Sequence, residues 1–340
     1  MKMRLFFFLL LLNCRFIYAQ DVHLSQFYET PLLRNPALAG IYTGDIRIQA
    51  VYRNQWQSVG YPYQTSALSA EYKFRVGSGN DFMTAGMQAF YDIAGSSRLK
   101  TTQVMPAINF HKSLNDEKNR YLSVGFMMGF VQRSFDSRYL TFDNQYNNGR
   151  FNSNAPSGEN FTSVRRIIPD FGAGISYNSS IGEYGNYYLG GALYHFNKPN
   201  EYFLQQSFSL KPKLSFNGGL RMPLNEMVML HMEANYLSQG KYAETIFGGI
   251  ASYNFTGNYP GEEKTIKALA MGAGIFMRMN DAIVPVIKLN YNNIEIGGSY
   301  DINISKLRTA SNTRGGYELS LAYKAFLNNR TLQSLICPKF

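Results

Sequence analysis

The sequence predicts an all-β fold: a transmembrane, antiparallel outer-membrane β-barrel of about 14 strands, preceded by a cleaved signal peptide. Stretches of about ten residues in which apolar and polar side chains alternate recur along the chain, separated by polar turns. In 294–304, isoleucine or tyrosine recurs at nearly every second position, with charged or small residues between them. Because the side chains of a strand point alternately to its two faces, each stretch has one apolar and one polar face. A barrel with lipid outside and water or small polar groups inside accommodates both.

Fourteen such stretches are predicted as strands, an even number, as expected for a bacterial barrel with both ends in the periplasm. Their ranges are 44–54, 63–74, 82–93, 99–112, 120–133, 166–177, 185–196, 210–222, 226–237, 242–254, 264–277, 281–291, 294–304 and 316–326. A charge on the lipid face costs about 2–4 kcal/mol at mid-membrane, so the charged set of each strand is predicted to face inward. Arg53, Glu318 and Lys324 are therefore assigned to the interior, and Leu319 and Leu321 to lipid.

The first 19 residues have the pattern of a secretory signal peptide. Two basic residues precede the apolar run 5–12, and Ala19 provides a small residue before Gln20. The run is far shorter than the ~20 residues of a membrane-spanning helix, and no later segment reaches that length. Cys14 leaves a lipoprotein open, although Asn13 stands where a small residue normally precedes a lipidated cysteine.

The interior of the predicted barrel has room for a further element. The expected parts of the chain are the signal peptide 1–19, an N-terminal periplasmic or plug segment 20–43, the barrel 44–326 and a C-terminal tail 327–340. The segment 20–43 contains Pro31 and Pro36, the second preceded by Asn35, which favours extended or turn geometry over pairing in a sheet. Inward positions such as Gly172 and Gly174 are small, which leaves space for water, a terminal segment or part of a partner.

Loop lengths agree with a periplasmic N-terminus. Counting strands from that side places 134–165, 197–209 and 305–315 outside the cell, and 223–225 inside, although the inner connection 255–263 is longer. Outer-membrane barrels have short periplasmic turns and long external loops. Strand counting and loop lengths therefore agree, and 134–165 is predicted to lie outside the cell, either mobile or folded over the mouth.

The composition excludes several classes of function. The formal net charge is +10, but no long basic run accompanies it, so no nucleic-acid groove is predicted. Only Cys337 remains after signal cleavage, so the mature chain has no intramolecular disulfide. None of the four histidines has metal-ligand spacing, and no nucleophile elbow occurs, so we predict no metal, no cofactor and no catalytic residue.

The only tryptophan of the chain closes a polar run at the end of the first predicted strand. One interpretation makes Trp56 an aromatic anchor at the membrane interface, followed by a turn. The other makes Arg53, Asn54 and Gln55 a polar cluster at the barrel mouth that holds a loop or a partner segment. The sequence leaves both open.

Several short motifs occur in order along the chain. They are Ser25-Gln26-Phe27-Tyr28 with Asn35-Pro36-Ala37, then Tyr52-Arg53-Asn54-Gln55-Trp56, Leu140-Thr141-Phe142-Asp143 with Gln145, Pro199-Asn200-Glu201, Tyr300-Asp301 with Ile304-Ser305-Lys306-Leu307, Gly316-Tyr317-Glu318-Leu319-Ser320-Leu321, and the terminal Cys337-Pro338-Lys339-Phe340. In this order they resemble the type IX secretion system membrane protein family PorP/SprF of Bacteroidetes. The resemblance spans nearly all of the mature chain.

The resemblance implies a non-enzymatic outer-membrane barrel that works with the type IX machinery. Its implied partners are secreted adhesin-like cargo proteins with a C-terminal sorting domain, including gliding adhesins, together with periplasmic secretion components and outer-membrane lipid. Candidate partner-binding, lumen or mouth residues are Arg53, Asn54, Gln55, Trp56, Phe142, Asp143, Gln145, Asn200, Asp301 and Lys306, and the N-terminal motif contributes Ser25, Gln26, Phe27, Tyr28, Asn35 and Pro36. Within this set, Asp301 and Lys306 form a candidate exposed ion pair across one external loop.

Three alternatives remain open from the sequence. A passive outer-membrane pore would need an open lumen. An outer-membrane enzyme with dispersed catalytic residues would react with a serine-directed probe. A soluble secreted β-protein would also show alternation, but would fractionate without detergent.

Overall fold

A computed structural model gives the fold of most of the chain after the predicted signal peptide. The described ranges are 22–57, 60–116, 119–136, 139–147, 149–159, 165–182, 184–203, 206–256, 269–305 and 308–327. The predicted signal peptide 1–19, and the tail from residue 328 on, lie outside them. Within these ranges, no helix is long and apolar enough to cross a membrane.

Fourteen antiparallel strands close into a single barrel, which confirms the predicted fold class. The strands are β1 (Ile46–Gln55), β2 (Tyr63–Arg75), β3 (Phe82–Ala94), β4 (Leu99–Asn115), β5 (Arg120–Ser134), β6 (Arg165–Ile181), β7 (Gly185–Tyr194), β8 (Lys213–Pro223), β9 (Val228–Gln239), β10 (Tyr242–Asn254), β11 (Leu269–Arg278), β12 (Ala282–Tyr291), β13 (Ile294–Asn303) and β14 (Arg314–Ala325). Each strand pairs with its neighbours in sequence, and β1 pairs with β14 from Ile46↔Ala325 to Gln55↔Gly316. Closure leaves the barrel without the exposed edges that cause open sheets to aggregate.

The strands agree with the predicted ones in number and order, and they differ in the residues at which they begin and end. Strand β6 continues to Ile181, four residues beyond the predicted 166–177, through a polar run in which alternation of apolar residues ceases. Strand β8 begins at Lys213 rather than at 210. Pairing in the sheet continues past the membrane into water, where a strand no longer needs an apolar outer face. Hydrophobic alternation therefore underestimates the length of β6.

The two faces of the wall are divided as predicted, and β14 illustrates the division. Leu319 and Leu321 are 56% and 52% exposed on the outer face, whereas Glu318 and Ser320 between them are 1% and 6% exposed. The same alternation of exposed apolar and buried polar residues runs through the other strands. The apolar outer surface is the one that contacts lipid in an outer membrane.

The two ends of the barrel carry different connections. We call the end where β1 begins and β14 ends the inner mouth, and the opposite end the outer mouth. The outer connections include two small hairpins, Tyr146–Asn147 with Arg150–Phe151 and Asn200–Phe203 with Gln206–Ser209. The outer mouth also carries the short helices Asp143–Gln145 and Arg308–Ser311. The longest connections lie at the outer mouth, as expected for the external side of an outer-membrane barrel.

Residues 22–45 lie inside the barrel, and we call them the lumenal segment. It contains three short helical elements, Phe27–Glu29, Pro31–Arg34 and Pro36–Leu38, joined by tight turns. His23 lies 3.4 Å from Glu244 near the outer end of β10, whereas the Gly40 N–H donates to Glu71 near the inner end of β2. The segment therefore runs through the lumen from the outer mouth to the inner mouth, where β1 begins.

Candidate functional site

The candidate site is the contact between the lumenal segment and the inner barrel wall. Its outermost part is a cluster of buried charges, which we call the arginine cluster: Arg53 on β1, Arg278 on β11, Asp301 on β13 and Glu318 on β14. Arg53 pairs with Glu318 and, at 2.8 Å, with Asp301, which also pairs with Arg278. All four side chains are at most 2% exposed.

The arginine cluster holds the start of the lumenal segment. The backbone N–H groups of Ser25 and Gln26 donate to the two carboxylate oxygens of Glu318 at 2.5 and 2.7 Å. The Ser25 hydroxyl donates to Asp301 at 2.6 Å and accepts from Arg53 at 2.6 Å. Residues of two sequence motifs near the N-terminus and two near the C-terminus thus meet at one point.

The cations of the arginine cluster are compensated, since its two guanidinium groups pair with Asp301 and Glu318, and Arg278 also pairs with Asp281 at 2.7 Å. A buried ion pair contributes little net stability by itself, but removing one partner leaves an uncompensated buried charge and costs about 3–5 kcal/mol. The expectation of an exposed pair between Asp301 and Lys306 is wrong for Asp301, which is 2% exposed and binds two arginines. Lys306 lies outside the described residues.

Sequence reasoning missed Arg278. It ends a strand of alternating small and apolar residues, and its partners are Asp301, 23 positions away, and Asp281, three positions away. Arg278 lies two positions after Phe276 on the same strand, so both side chains point inward. This alternation was the signal in the sequence that could have identified it. A buried arginine in that register requires a carboxylate nearby.

A second polar contact lies deeper in the lumen. Arg34 donates to Glu233 and to the Tyr188 hydroxyl, both at 3.0 Å, and Tyr188 donates to the same carboxylate. His231 lies 3.2 Å from the other oxygen of Glu233. The pair His231–Glu233 therefore belongs to a hydrogen-bonded network that holds Arg34.

A third contact is a chain of alternating charges across one side of the wall. Glu29 accepts from Gln49 at 2.9 Å and from Lys288 at 2.7 Å. Lys288 also pairs with Glu295 at 2.9 Å, and Lys324 pairs with Glu295 at 2.7 Å. These charges connect β1, β12, β13 and β14 to the lumenal segment.

Small wall residues allow the middle of the lumenal segment to approach the sheet. A Cβ atom placed on Gly125 of β5 would overlap the Pro36 carbonyl, and one on Gly174 of β6 would overlap the Asn35 side chain. Asn35 donates to the Ile175 carbonyl at 3.1 Å and accepts from the Ala37 N–H at 2.8 Å. The space that the small inward residues leave is filled here by the chain's own N-terminal segment.

One side of the inner wall is apolar and is covered by two aromatic rings. Phe27 packs edge-on against Phe276 with centroids 5.5 Å apart, and Tyr28 stacks on the same ring at 5.0 Å. Ile246, Ile250, Val284 and Val286 belong to this buried cluster. Burial of apolar surface favours the docked segment by about 25 cal/mol per Å², in addition to its polar contacts.

The inner mouth holds the end of the lumenal segment. Glu71 accepts from Arg47 at 2.7 Å and from the Gly40 N–H at 2.8 Å. Lys73 donates to the carbonyl groups of Gly40 and Tyr42. Outside the lumen, Asp81 accepts from the exposed Lys112 at 2.8 Å, and this hydrogen bond lowers the pKa of Asp81 below its ordinary value.

The remaining candidates of the motif Tyr52-Arg53-Asn54-Gln55-Trp56 lie at the outer mouth. Gln55 accepts from Arg53 Nε at 3.2 Å, and Asn54 is buried beside it. The Trp56 ring packs edge-on against Tyr63 at 4.9 Å. Gln55 and Trp56 both line a cavity at this mouth.

The other candidates are separate from the lumen and belong to the external loops. Phe142 and Asp143 begin the short helix of the long loop, and Gln145 closes it by accepting from the Phe142 N–H at 3.1 Å and donating to the Ala155 carbonyl. Asn200 is exposed in the second external hairpin, opposite Ser209. The structure thus brings the N-terminal motif together with Arg53 and Asp301, but leaves the loop motifs apart from them.

The described residues contain no group of three histidine, cysteine, aspartate or glutamate side chains placed to hold a metal ion. His111 lies between the hydroxyl groups of Thr84 and Ser123, and His195 lies 2.7 Å from Asp170. Both are buried in the wall.

Comparison with solved structures finds barrels at low similarity. A mutant of the monoaromatic hydrocarbon channel TodX has 10% identity and a TM-score of 0.47, covering 87% of this chain and 93% of the other. BamA from Haemophilus ducreyi has 10% identity and a TM-score of 0.37, with coverages of 83% and 70%. CdiB from Acinetobacter baumannii has 8% identity and a TM-score of 0.39, with coverages of 82% and 60%.

No curated protein matches the chain. The family described as type IX secretion system membrane protein PorP/SprF matches residues 17–323, which include the lumenal segment and all strands but the last two residues of β14. The closed barrel, its apolar exterior and this match together make the protein an outer-membrane component of type IX secretion. The chain belongs to the PorP/SprF family.

Proposed function

We propose that this barrel assists the secretion and cell-surface attachment of specific adhesin-like cargo proteins that carry a C-terminal sorting domain. Membership of a type IX secretion family supports a role beside the translocation machinery. The observation that carries the proposal is the filled lumen: the lumenal segment is bonded to opposite sides of the barrel wall, through Arg34 to Glu233 on β9 and through Gly40 to Glu71 on β2. A barrel filled in this way acts at its mouth rather than as a conduit.

The gripping surface in this proposal is the outer mouth with its long loops. The loop between β5 and β6 has its own hairpin and hydrogen bonds, so it presents a shaped surface rather than a loose chain. Its exposed residues include Tyr146 and Phe151, whose rings pack 5.4 Å apart. Exposed aromatic residues are enriched where protein partners bind.

Deletion of 140–160 tests the gripping surface. We expect cargo to be released into the medium while the barrel still runs as a folded, heat-modifiable band. A loop of the same length and composition in scrambled order serves as the matched control and should also release cargo. Unchanged attachment in both variants would contradict this loop as the gripping element.

Passive transport is the competing function. It requires a continuous water path, and the lumenal segment fills the region between the mouths. Single-channel recording in planar bilayers should give no stable conductance for the intact protein. A steady open channel at rest would favour the pore instead.

A non-enzymatic role completes the proposal. The buried histidines of the described part of the chain are held by structural partners within the wall, and His231 serves the network around Arg34. A serine-directed fluorophosphonate probe should therefore leave the protein unlabelled. Stoichiometric labelling of one serine would contradict this role.

A further inference from the structure

A shallow groove crosses the outer face of the wall, where the barrel contacts lipid. It follows one row of paired residues over β14, β1, β2, β3 and β4, from Ser320 through Val51, Ala67 and Phe90 to Gln103. Its volume is about 520 Å³. Because neighbouring strands lie about 4.8 Å apart, the groove extends about 19 Å across the strands. We call it the lipid groove.

Small side chains at lipid-facing positions form the floor of the lipid groove. They are Ala50, Ser66, Ala89 and Thr102. Each lies between larger neighbours, as Ala89 does between its paired residues Leu68 and Val104. An unfilled groove would lose the dispersion contacts of its lining, so acyl chains of the membrane are its natural filling.

Two cations lie beyond the β4 end of the lipid groove, on the same outer face. Lys100 lies two positions from Thr102 toward the outer mouth, and alternation along β4 directs both side chains outward. Ser134 of β5 is paired with Lys100 on one side and with Arg165 of β6 on the other, so the two cationic residues have backbones about 10 Å apart. Arg165 shares the outer face with Ile167, which is 58% exposed. Both cations are exposed.

Neither cation pairs with a carboxylate of the described residues. Arg165 donates to the neutral amide of Gln132 at 2.5 Å, and Lys100 forms no ion pair within the described ranges. Asp136, just beyond the end of β5, is half-buried and engaged elsewhere. Asp92 of β3 lines the cavity on the lumenal side of the wall. Even when Asp136 is counted, this part of the outer rim has a positive balance.

We propose that the lipid groove and these two cations form one binding site for a phosphorylated glycolipid of the membrane leaflet at the outer mouth. Acyl chains fill the groove, and Lys100 and Arg165 bind a phosphate of the sugar headgroup. A guanidinium matches phosphate in bidentate geometry, and an ammonium adds a point charge. The length of the groove suits a lipid with several chains, and acylated, phosphorylated sugars are characteristic of the outer leaflet of an outer membrane. The site does not depend on the role in cargo attachment proposed above.

Native mass spectrometry of the full mature protein in detergent tests the site with one lipid at a time. The probes are lipid A, the same lipid A after removal of its phosphates, and phosphatidylglycerol, which is anionic but has no sugar. We expect saturable binding of lipid A, and about five-fold weaker binding of each of the other two lipids.

Three results would overturn the proposal. One is the absence of saturable lipid A binding. Another is an affinity for dephosphorylated lipid A or for phosphatidylglycerol equal to that for lipid A. The third is a dimer that binds no lipid, which would assign the lipid groove to a second copy of the chain.

Substitution of the cations tests the headgroup end. Lys100→Gln and Arg165→Gln should each weaken lipid A about five-fold and leave the dephosphorylated lipid unchanged, because each removes one charge beside the phosphate. Lys112→Gln, which removes an exposed cation of β4 that already pairs with Asp81, should change neither. An equal loss in all three variants would indicate general attraction to a basic barrel and would overturn the site.

A matched pair of alanines tests the lipid groove. Ala89→Leu raises its floor and should weaken both forms of lipid A about three-fold, because fewer chain atoms then contact the wall. Ala234→Leu makes the same change at an exposed, lipid-facing position of β9 outside the groove and should leave binding unchanged. Both variants should keep the heat-modifiable band of a folded barrel. Equal effects of the two substitutions would overturn the role of the groove.

Discussion

The lumenal segment and the external loop between β5 and β6 are both irregular, yet they are held in opposite ways. The lumenal segment has hydrogen bonds within its short helical turns, but it also makes many bonds to distant strands, such as those of Ser25 to Asp301 and Glu318. The loop is held by its own residues, as Gln145 bonds to Phe142 and Ala155. The first is therefore part of the barrel's core, whereas the second can change without affecting the barrel.

Arg53→Met should give the largest loss of stability. It removes the buried cation that pairs with Glu318 and one of the two cations that pair with Asp301. We expect the free energy of unfolding to fall by about 3–5 kcal/mol. Urea unfolding in phosphatidylcholine liposomes measures the loss. Lys112→Met, which breaks an exposed ion pair, is the control and should cost about 0–1 kcal/mol. Equal losses in the two variants would show that the arginine cluster stabilises the barrel no more than an exposed ion pair does.

Two adjacent glycines on opposite faces of β13 provide a matched pair. A Cβ atom on Gly297 would meet the Gln26 side chain of the lumenal segment, whereas one on Gly298 would meet only ordinary contacts at 3.7 Å or more. Gly297→Val should cost about 1–3 kcal/mol by overpacking and expose the lumenal segment to protease, and Gly298→Val should do neither. Equal protease sensitivity in both would argue against the docked segment.

Glu29→Gln should have a smaller effect. It removes one partner of Lys288, but Glu295 remains 2.9 Å from that ammonium group. We expect a loss of about 1 kcal/mol, with faster amide exchange in the lumenal segment. A loss as large as that of Arg53→Met would mean that Lys288 depends on Glu29 alone.

Gln145→Ala should have the smallest effect on the barrel. The bonds of Gln145 close the external loop, so amide exchange within 142–155 should accelerate. The free energy of unfolding of the barrel should change by less than about 0.5 kcal/mol. A global loss of stability would contradict the separation of the loop from the core.

The contrast between local bonds and bonds to distant strands also explains which features could be predicted from the sequence. Alternation identified all fourteen strands, and the cost of a charge in lipid assigned Arg53 and Glu318 to the interior. The sequence placed these residues inside but could not pair them, because Arg53 and Glu318 are 265 positions apart. The location of the lumenal segment stayed open for a related reason, since Pro31 and Pro36 restrict only local geometry.

The position of Arg53 also affects how the barrel must assemble. Arg53 and Glu318 are paired neighbours across the junction where the first strand meets the last, and they also grip Ser25. A slip of one residue at that junction would turn Arg53 toward lipid. Because Ser25 bonds to both residues, the docked N-terminal segment favours the one alignment of the closing strands that keeps Arg53 inside.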